Sequence, residues 1–230
     1  MAKRKTAKRQ KARAGRPSKA LGLLHPWPSV AIRLIAGLGN PGQKYKDTRH
    51  NIGFTILDRV AGVLGVSFEL EKFRGLVSEA RHGAGKILLL KPLTFMNVSG
   101  ESVALAARNQ VDGPEEVLIV YDDVELPLGR LRLRAGGSGG THNGMKSVIE
   151  RLGTRDIPRL RAGVGTGDYD SKGLAPHVLG KFRPEERGIL ETVTDRATKA
   201  VLACIDDGID SAMNLYNRAA DDTSQEPDNV

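Results

Sequence analysis

The 230-residue chain contains a single cysteine, Cys204, which excludes a disulfide framework and a metal site built from several cysteines. Its apolar runs, such as those at 87–90 and 117–121, fall far short of the ~20 residues that a membrane-spanning helix needs. No apolar stretch follows the basic N-terminus, so no secretory signal is predicted. These absences predict a soluble, cytoplasmic protein without a membrane partner.

The positive charge is concentrated at one end of the chain. Lys and Arg number 35 against 27 Asp and Glu, a formal charge of +8. Residues 1–19 hold nine of the basic residues and no acid, so the remainder is close to neutral. We expect a disordered basic arm at 1–28, one domain at 29–218 and an acidic tail at 219–230. Any nucleic-acid surface on the domain must therefore be a local patch.

Apolar runs alternate with amphipathic segments, which predicts a single α/β domain with a mixed central sheet and helices on both faces. Strands are predicted at 30–36, 117–121, 131–135 and 160–165, and a hairpin at 75–81 and 86–91. The hairpin makes the sheet mixed rather than purely parallel. Helices are predicted at 51–64, 99–109, 143–152, 184–207 and 211–217.

A glycine-rich loop follows the first strand, with Gly37, Gly39 and Gly42 at the spacing of a dinucleotide-binding turn. That turn needs a helix immediately after it and an acid about 20 residues further on, at the end of a second strand. Here Pro41 lies inside the loop, a polar stretch precedes the next helix, and Asp58 falls within that helix. We therefore expect no nucleotide cofactor, and a nucleotide-dependent oxidoreductase is the weaker alternative.

Polar side chains follow predicted strands or begin predicted helices at Asn40, His50, Asn97, Asp122 and Asn143. In an open α/β sheet such positions line the crevice that binds ligands. A neutral histidine can take a proton from water, a carboxylate can support the resulting imidazolium, and amides can donate to an ester oxygen that becomes negative. Since the chain offers no plausible serine or cysteine nucleophile, this set predicts hydrolysis of an ester by activated water.

Five sequence blocks carry a resemblance to a known family. They are residues 37–42 with Tyr45 and T-R-H-N-I-G at 48–53, K-P-L-T-F-M-N-V-S-G at 91–100, D-D-V-E-L-P-L-G at 122–129, residues 136–147, and R-L-R-A-G-V-G at 159–165. On these blocks the chain resembles the bacterial peptidyl-tRNA hydrolases, from about residue 30 to residue 217. The resemblance implies cleavage of the ester between a peptide and the 3′ ribose of tRNA by a monomeric enzyme that needs no metal or cofactor.

The resemblance also implies a catalytic group of three residues. His50 would be the general base that activates water, and Asp122 would stabilise its basic form. Asn40 would help to distinguish a blocked aminoacyl group from a free one.

Six further residues would bind peptidyl-tRNA, the implied partner. Asn97 and Asn143 would hold the peptide backbone and the tRNA 3′ end, and Tyr45 and Phe95 would pack against the substrate. The acceptor-stem phosphates would meet the remaining two, Arg134 and Arg161. Phosphate contacts of this kind are independent of sequence, which suits an enzyme that accepts many tRNAs.

The chain departs from the family pattern at Thr141, where a glycine is usual, and in its basic N-terminal arm. A β-branched residue would be strained if that position required a positive φ. We expect structural hydrogen bonding, rather than proton transfer, from the neighbouring His142. A non-catalytic RNA-binding relative remains the second alternative, although such a protein has no need of the histidine–aspartate pair.

Overall fold

The computed structural model describes residues 31–83, 85–165 and 173–218. The predicted basic arm at 1–28 and acidic tail at 219–230 lie outside these residues. The strands in the described part are β1 (Leu34–Gly37), β2 (Leu70–Lys72), β3 (Gly75–His82), β4 (Gly85–Pro92), β5 (Val117–Pro127), β6 (Leu131–Arg134) and β7 (Arg159–Gly165). The α-helices there are α1 (Ile52–Val63), α2 (Ser99–Gln110), α3 (Asn143–Leu152), α4 (Leu174–Leu179), α5 (Arg187–Asp206) and α6 (Gly208–Tyr216).

The strands form one mixed sheet in the order β2-β3-β4-β1-β5-β7-β6. Strands β4, β1, β5 and β7 run parallel to one another. The other pairs are antiparallel: β2 with β3, β3 with β4, and β6 with β7. The predicted single α/β domain with a mixed sheet is confirmed. The parallel centre places the carboxyl ends of β4, β1 and β5 side by side.

The central strands are apolar on both sides because helices cover both faces of the sheet. In β1, Ile35 joins a core with α1, α5 and α6 on one face. Its neighbours Leu34 and Ala36 join a second core with α2 and α3 on the other face. The prediction of helices on both faces is thereby confirmed.

Some predicted boundaries are wrong. The first strand begins at Leu34 rather than at residue 30, since Ala31 and Arg33 are exposed and only Ile32 between them is buried. The strand predicted at 117–121 extends to Pro127, because β7 continues to pair with it beyond the apolar run. The sequence did not predict β2 or the six-residue α4.

Two helix boundaries also differ from the prediction. The long helix predicted at 184–207 is a 3₁₀ turn at Pro184–Glu186 followed by α5. The Glu186 carboxylate accepts the Arg183 main-chain N–H at 2.6 Å and fixes this turn. The last helix, α6, begins at Gly208 rather than at residue 211, and Gly208 takes a φ of 79° that favours glycine.

The glycines of the loop after β1 serve close packing. A Cβ on Gly37 would lie 2.4 Å from the carbonyl oxygen of Gly53, and a Cβ on Gly53 would lie 2.5 Å from those of Leu38 and Val120. The start of α1 therefore rests directly on the sheet. A 3₁₀ turn at Gln43–Tyr45, and no α-helix, follows Gly42, so the geometry disfavours the dinucleotide alternative. No described helix is both long and apolar enough to cross a membrane.

Candidate active site

A cleft of about 940 Å³ opens at the carboxyl ends of β4, β1 and β5. It brings together all nine residues singled out from the sequence, although they are spread from position 40 to position 161 of the chain. These lining residues are Asn40, Tyr45, His50, Phe95, Asn97, Asp122, Arg134, Asn143 and Arg161.

His50 and Asp122 are joined by a hydrogen bond across the cleft floor. The Nδ1 of His50 lies 2.8 Å from Oδ1 and 3.0 Å from Oδ2 of Asp122. A carboxylate accepts, so Nδ1 carries the proton and Nε2 is left as the basic nitrogen. The 3₁₀ turn Arg49–Asn51 before α1 positions the imidazole, while the carboxylate projects from β5.

Asp122 is ionised despite being buried. Burial alone would raise its pKa, but the imidazoles of His142 and His50 outweigh burial and hold the pKa well below its ordinary value of 3.8. The carboxylate is therefore available at neutral pH to stabilise a positive charge on an imidazole beside it.

The Asn40 side chain is held in one orientation. Its Oδ1 accepts the main-chain N–H of Met96 at 2.8 Å, so the amide nitrogen Nδ2 remains as the free donor of a side chain that lines the cleft. The Asn51 side chain accepts the Asn40 N–H at 2.9 Å and donates to the Asn40 carbonyl oxygen at 3.0 Å. Asn51 is the N-cap residue of α1, but its side chain makes no capping bond and braces Asn40 instead.

The walls of the cleft combine aromatic, amide and aliphatic groups. The rings of Tyr45 and Phe95 meet edge to face at 6.4 Å, and Phe95 is 55% exposed. The side chains of Asn97 and Asn143 are exposed and make no hydrogen bond within the described residues. Helix α4 supplies an apolar wall opposite. No sequence pattern predicts this wall, because six residues that include a proline are too few to show helical periodicity.

Arginines project from β6 and β7 at the rim of the cleft. Arg132 pairs with Arg161 and Arg134 pairs with Arg159 across the two strands, so all four lie on one face of the sheet. Arg161 forms ion pairs with the carboxylates of Asp123 and Glu125. By contrast, Arg132 and Arg134 are exposed and have no acidic partner in the described part of the chain. The uncompensated charge at the rim therefore lies on β6.

Arg159 is a functional candidate that sequence reasoning missed. Its side chain is buried, and its guanidinium donates to the carbonyl oxygens of Gly137, Ser138, Arg155 and Ile157 at 2.9–3.0 Å. It thereby holds the glycine-rich wall of the cleft, residues 136–140, against the sheet. An arginine at the start of a buried strand was the signal that could have identified it.

Thr141 does not take the strained conformation considered from the sequence. The positive φ, +52°, falls on the preceding residue, Gly140, and Thr141 is not among the residues with positive φ. The threonine is exposed and lines the cleft, so the loop accommodates a β-branched residue there.

His50, Asp122 and His142 bring three potential metal-ligand atoms within 4.8 Å of one another. A metal-bound histidine normally donates its other ring N–H to an outer partner. In His142 that other nitrogen, Nδ1, instead accepts the Met145 N–H at 3.1 Å. These contacts fit a hydrogen-bonded cluster better than a metal centre.

A histidine–aspartate couple among amide donors, at the carboxyl edge of an open α/β sheet, is the arrangement of a hydrolase that activates water. The family model described as peptidyl-tRNA hydrolase matches residues 34–225. The chain belongs to the peptidyl-tRNA hydrolase family, and the resemblance found in its sequence is confirmed.

Relatives and solved structures agree with this assignment. A peptidyl-tRNA hydrolase of Desulfitobacterium hafniense is 50% identical over 189 residues, covering 81% of this chain and all of the relative. One from Synechococcus sp. (strain JA-3-3Ab) is 50% identical over 195 residues, covering 84% of this chain and 85% of the relative. The crystal structure of the Acinetobacter baumannii peptidyl-tRNA hydrolase superposes with a TM-score of 0.77 at 33% identity, covering 82% of this chain and 96% of that one.

Proposed function

We propose that this protein hydrolyses the ester bond between a peptide, or an N-blocked amino acid, and the 3′ ribose of tRNA. The products are a free carboxylate and a tRNA with its 3′ hydroxyl restored. The observation that carries the proposal is the His50–Asp122 hydrogen bond in a cleft of a chain that belongs to the peptidyl-tRNA hydrolase family.

His50 acts first as a base and then as an acid. Its Nε2 takes a proton from water while the water oxygen attacks the ester carbonyl, which gives a tetrahedral intermediate and an imidazolium. Collapse of the intermediate breaks the bond to the ribose oxygen, and the imidazolium returns its proton to that oxygen. Asp122 supports the imidazolium throughout, because its carboxylate is ionised and already accepts the proton on Nδ1.

Asn40 provides selectivity for a blocked amino group. The fixed orientation of its side chain presents an N–H donor, which pairs with the carbonyl oxygen of an N-acyl group. A free aminoacyl ester carries a protonated amine at neutral pH, and an ammonium group offers only donors. The contact with Asn40 is therefore available to a peptidyl group and denied to an unblocked amino acid.

The remaining lining residues bind parts of the substrate that do not react. Asn97 and Asn143 present free amides to the peptide backbone and the 3′-terminal nucleotide. Tyr45 and Phe95, together with the apolar wall of α4, take up peptide side chains without polar selection. Such contacts accept many peptides, as a general recycling enzyme requires.

Arginines at the rim hold the acceptor stem of the tRNA through its phosphates. Arg134 supplies the stronger contact because it is exposed and has no acidic partner within residues 31–83, 85–165 and 173–218, whereas Arg161 shares its charge with Asp123 and Glu125. All nine residues come from one chain, so a single copy is sufficient to form the proposed site. Hydrolysis of an ester by activated water requires no metal or nucleotide cofactor. The substrate belongs to translation, which supports a cytoplasmic location.

The test uses N-acetyl-aminoacyl-tRNA and free aminoacyl-tRNA charged with the same amino acid. The proposal expects release of the N-acetylated amino acid with multiple turnovers and at least about a hundredfold slower release from the free form. Tight binding of both without release would replace the proposal by a non-catalytic RNA-binding function. Equal release from both substrates would refute the role of Asn40 while leaving the esterase activity standing.

A further inference from the structure

The buried Asp122 carboxylate accepts hydrogen bonds from two histidines. Besides the bond to His50, its Oδ1 lies 3.0 Å from Nε2 of His142. The carboxylate is 2% exposed, and the His142 side chain is 9% exposed. The two imidazole rings lie 5.1 Å apart between their centroids. Asp122 is thus held between two rings from distant parts of the chain, one before α1 and one before α3.

The proton of His142 can be assigned from its other contact. Its Nδ1 lies 3.1 Å from the main-chain nitrogen of Met145, where His142 serves as the N-cap of α3. A main-chain N–H can only donate, so Nδ1 must accept and carries no proton. The single proton of a neutral His142 therefore lies on Nε2, where it points to Asp122.

We infer that His142 is a positioning residue of the hydrolytic site: helix α3 locks it in the neutral Nε2–H form, and in that form it fixes the carboxylate that orients His50. The inference rests on the proposed function and adds a residue to it. Both nitrogens of His142 are occupied, one by the helix and one by Asp122, so neither can take a proton from water. His50 is left as the one histidine of the pair with a nitrogen available for catalysis.

The surroundings of His142 support a fixed neutral ring. Its titratable neighbours are Asp122, His50 and Tyr121, whose ring lies 4.7 Å away. Burial raises the pKa of Tyr121, so its hydroxyl is neutral in the assay range. Asp123, the next residue on β5, is directed to Arg161 instead. No other charged group therefore competes with Asp122 for the Nε2–H in the described part of the chain.

Two substitutions separate the contact with Asp122 from the helix cap. His142→Asn keeps an oxygen near the place of Nδ1, and asparagine is a preferred N-cap, but its short side chain does not reach Asp122. His142→Gln places an amide nitrogen near the place of Nε2 and loses the cap. If both variants fold, as judged by their melting temperatures, each one tests a single contact.

The inference expects His142→Asn to retain the wild-type melting temperature while kcat falls about tenfold or more, the usual effect of losing a hydrogen bond to a charged group. Its acidic pH limb should move to higher pH, because the charge of Asp122 then acts on His50 alone and favours the protonated form. His142→Gln should melt earlier but keep the wild-type pH limb. A normal kcat and a normal acidic pH limb in His142→Asn would show that His142 is only a helix cap. Equal losses of kcat in His142→Asn and His142→Gln would show that only the packing of the ring matters.

A second measurement does not depend on activity. Long-range ¹H–¹⁵N correlation spectra of the free full-length protein at pH 7 should show His142 protonated at Nε2 and not at Nδ1. Protonation at Nδ1 would overturn the inference. If the spectrum is as expected but N-acetyl-aminoacyl-tRNA is not hydrolysed, the proposed function fails and the contact between His142 and Asp122 stands.

Discussion

Asn51 holds both main-chain polar groups of Asn40, since its amide accepts the Asn40 N–H at 2.9 Å and donates to the Asn40 carbonyl at 3.0 Å. Both residues are buried, and the Met96 N–H holds the side-chain oxygen Oδ1 of Asn40. Asn51 also follows His50 directly in the chain. One short segment therefore positions the proposed base, His50, and also holds the proposed selective donor, Asn40.

Substitution of Asn51 should impair substrate selection more than folding. Asn51→Asp keeps one of the two bonds to Asn40 and sets a carboxylate against the Asn40 carbonyl oxygen. We expect kcat/KM for N-acetyl-aminoacyl-tRNA to fall about tenfold, with reduced preference over the free aminoacyl ester. The matched control is Asn109→Asp, which should behave as wild type. Asn109 is an exposed asparagine on α2 that donates to the nearby Leu105 carbonyl oxygen. Unchanged selectivity in Asn51→Asp would show that Asn40 needs no brace.

Removal of the basic nitrogen should abolish turnover without preventing binding. We expect His50→Ala to lower kcat by about 10²–10⁴-fold, the usual range for a general base, with tRNA affinity largely retained. The chain offers a matched control in His82, a partly buried histidine outside the cleft whose Nε2 lies 2.6 Å from Oδ1 of Asp206. His82→Ala should retain full activity. Near-normal kcat in His50→Ala would refute the assignment of the base.

Charge reversal at the rim should affect binding rather than chemistry. We expect Arg134→Glu to raise KM with little change in kcat, and to reduce the slope of log(kcat/KM) against log[salt] by about 1. The control is Arg81→Glu, which should leave KM unchanged, because Arg81 is an exposed arginine on β3 near the opposite edge of the sheet. An equal loss on a minimal substrate without the acceptor stem would contradict a phosphate contact.

Arg159 should contribute to stability through the carbonyl groups that it satisfies. Arg159→Met would remove four hydrogen bonds to carbonyl oxygens, of which the Arg155 carbonyl keeps the Gly137 N–H as a second donor. We expect a loss of about 2–4 kcal/mol in urea unfolding. Arg132→Met, on the neighbouring strand and exposed, should change stability by less than about 0.5 kcal/mol. Similar midpoints for the two variants would show that the glycine-rich wall does not depend on Arg159.

Cys204 should be inert in the folded protein. Burial in the core beneath α5 raises its pKa from 9.0 to about 12, and only the thiolate reacts with iodoacetamide. At pH 8 labelling should be slow in buffer and fast in urea. Since the folded pKa lies above the unfolded one, the folded state retains the proton, and this group reduces stability as the pH rises above about 9. Rapid native labelling at pH 8 would contradict its burial.

The sequence predicted those parts of the molecule in which local pattern and burial agree. The apolar run at 117–121 identified a central strand, and the two strand-like segments at 75–81 and 86–91 identified the hairpin. Polar residues near strand ends correctly suggested a common cleft, because parallel strands end at the same edge of a sheet. Pairing with β7 carried β5 beyond its apolar run, so Asp122 lies within the strand rather than after it.

Partners distant in the chain could not be read from local patterns. Nothing around Asn51 distinguishes a helix cap from a brace on Asn40. The alternating arginines of β6 indicated a basic face. The fold shows in addition that Asp123 and Glu125 pair with Arg161 on β7, whereas Arg134 has no acidic partner among the residues that the structure describes. Helix α4 could not be predicted, because its six residues are too few to show a helical repeat of apolar positions.

The place of β7 beside β5 has a consequence for the synthesis of this protein. The strand that bears Asp122 is flanked on one side by β1 and on the other by β7, which begins only at Arg159. A nascent chain that stops before Arg159 lacks the β7 neighbour of Asp122 and Asp123, although it already contains His50, Asn40 and the Asn51 that braces Asn40. The ribosome must therefore deliver more than two thirds of the polypeptide before β5 can have both of its neighbouring strands.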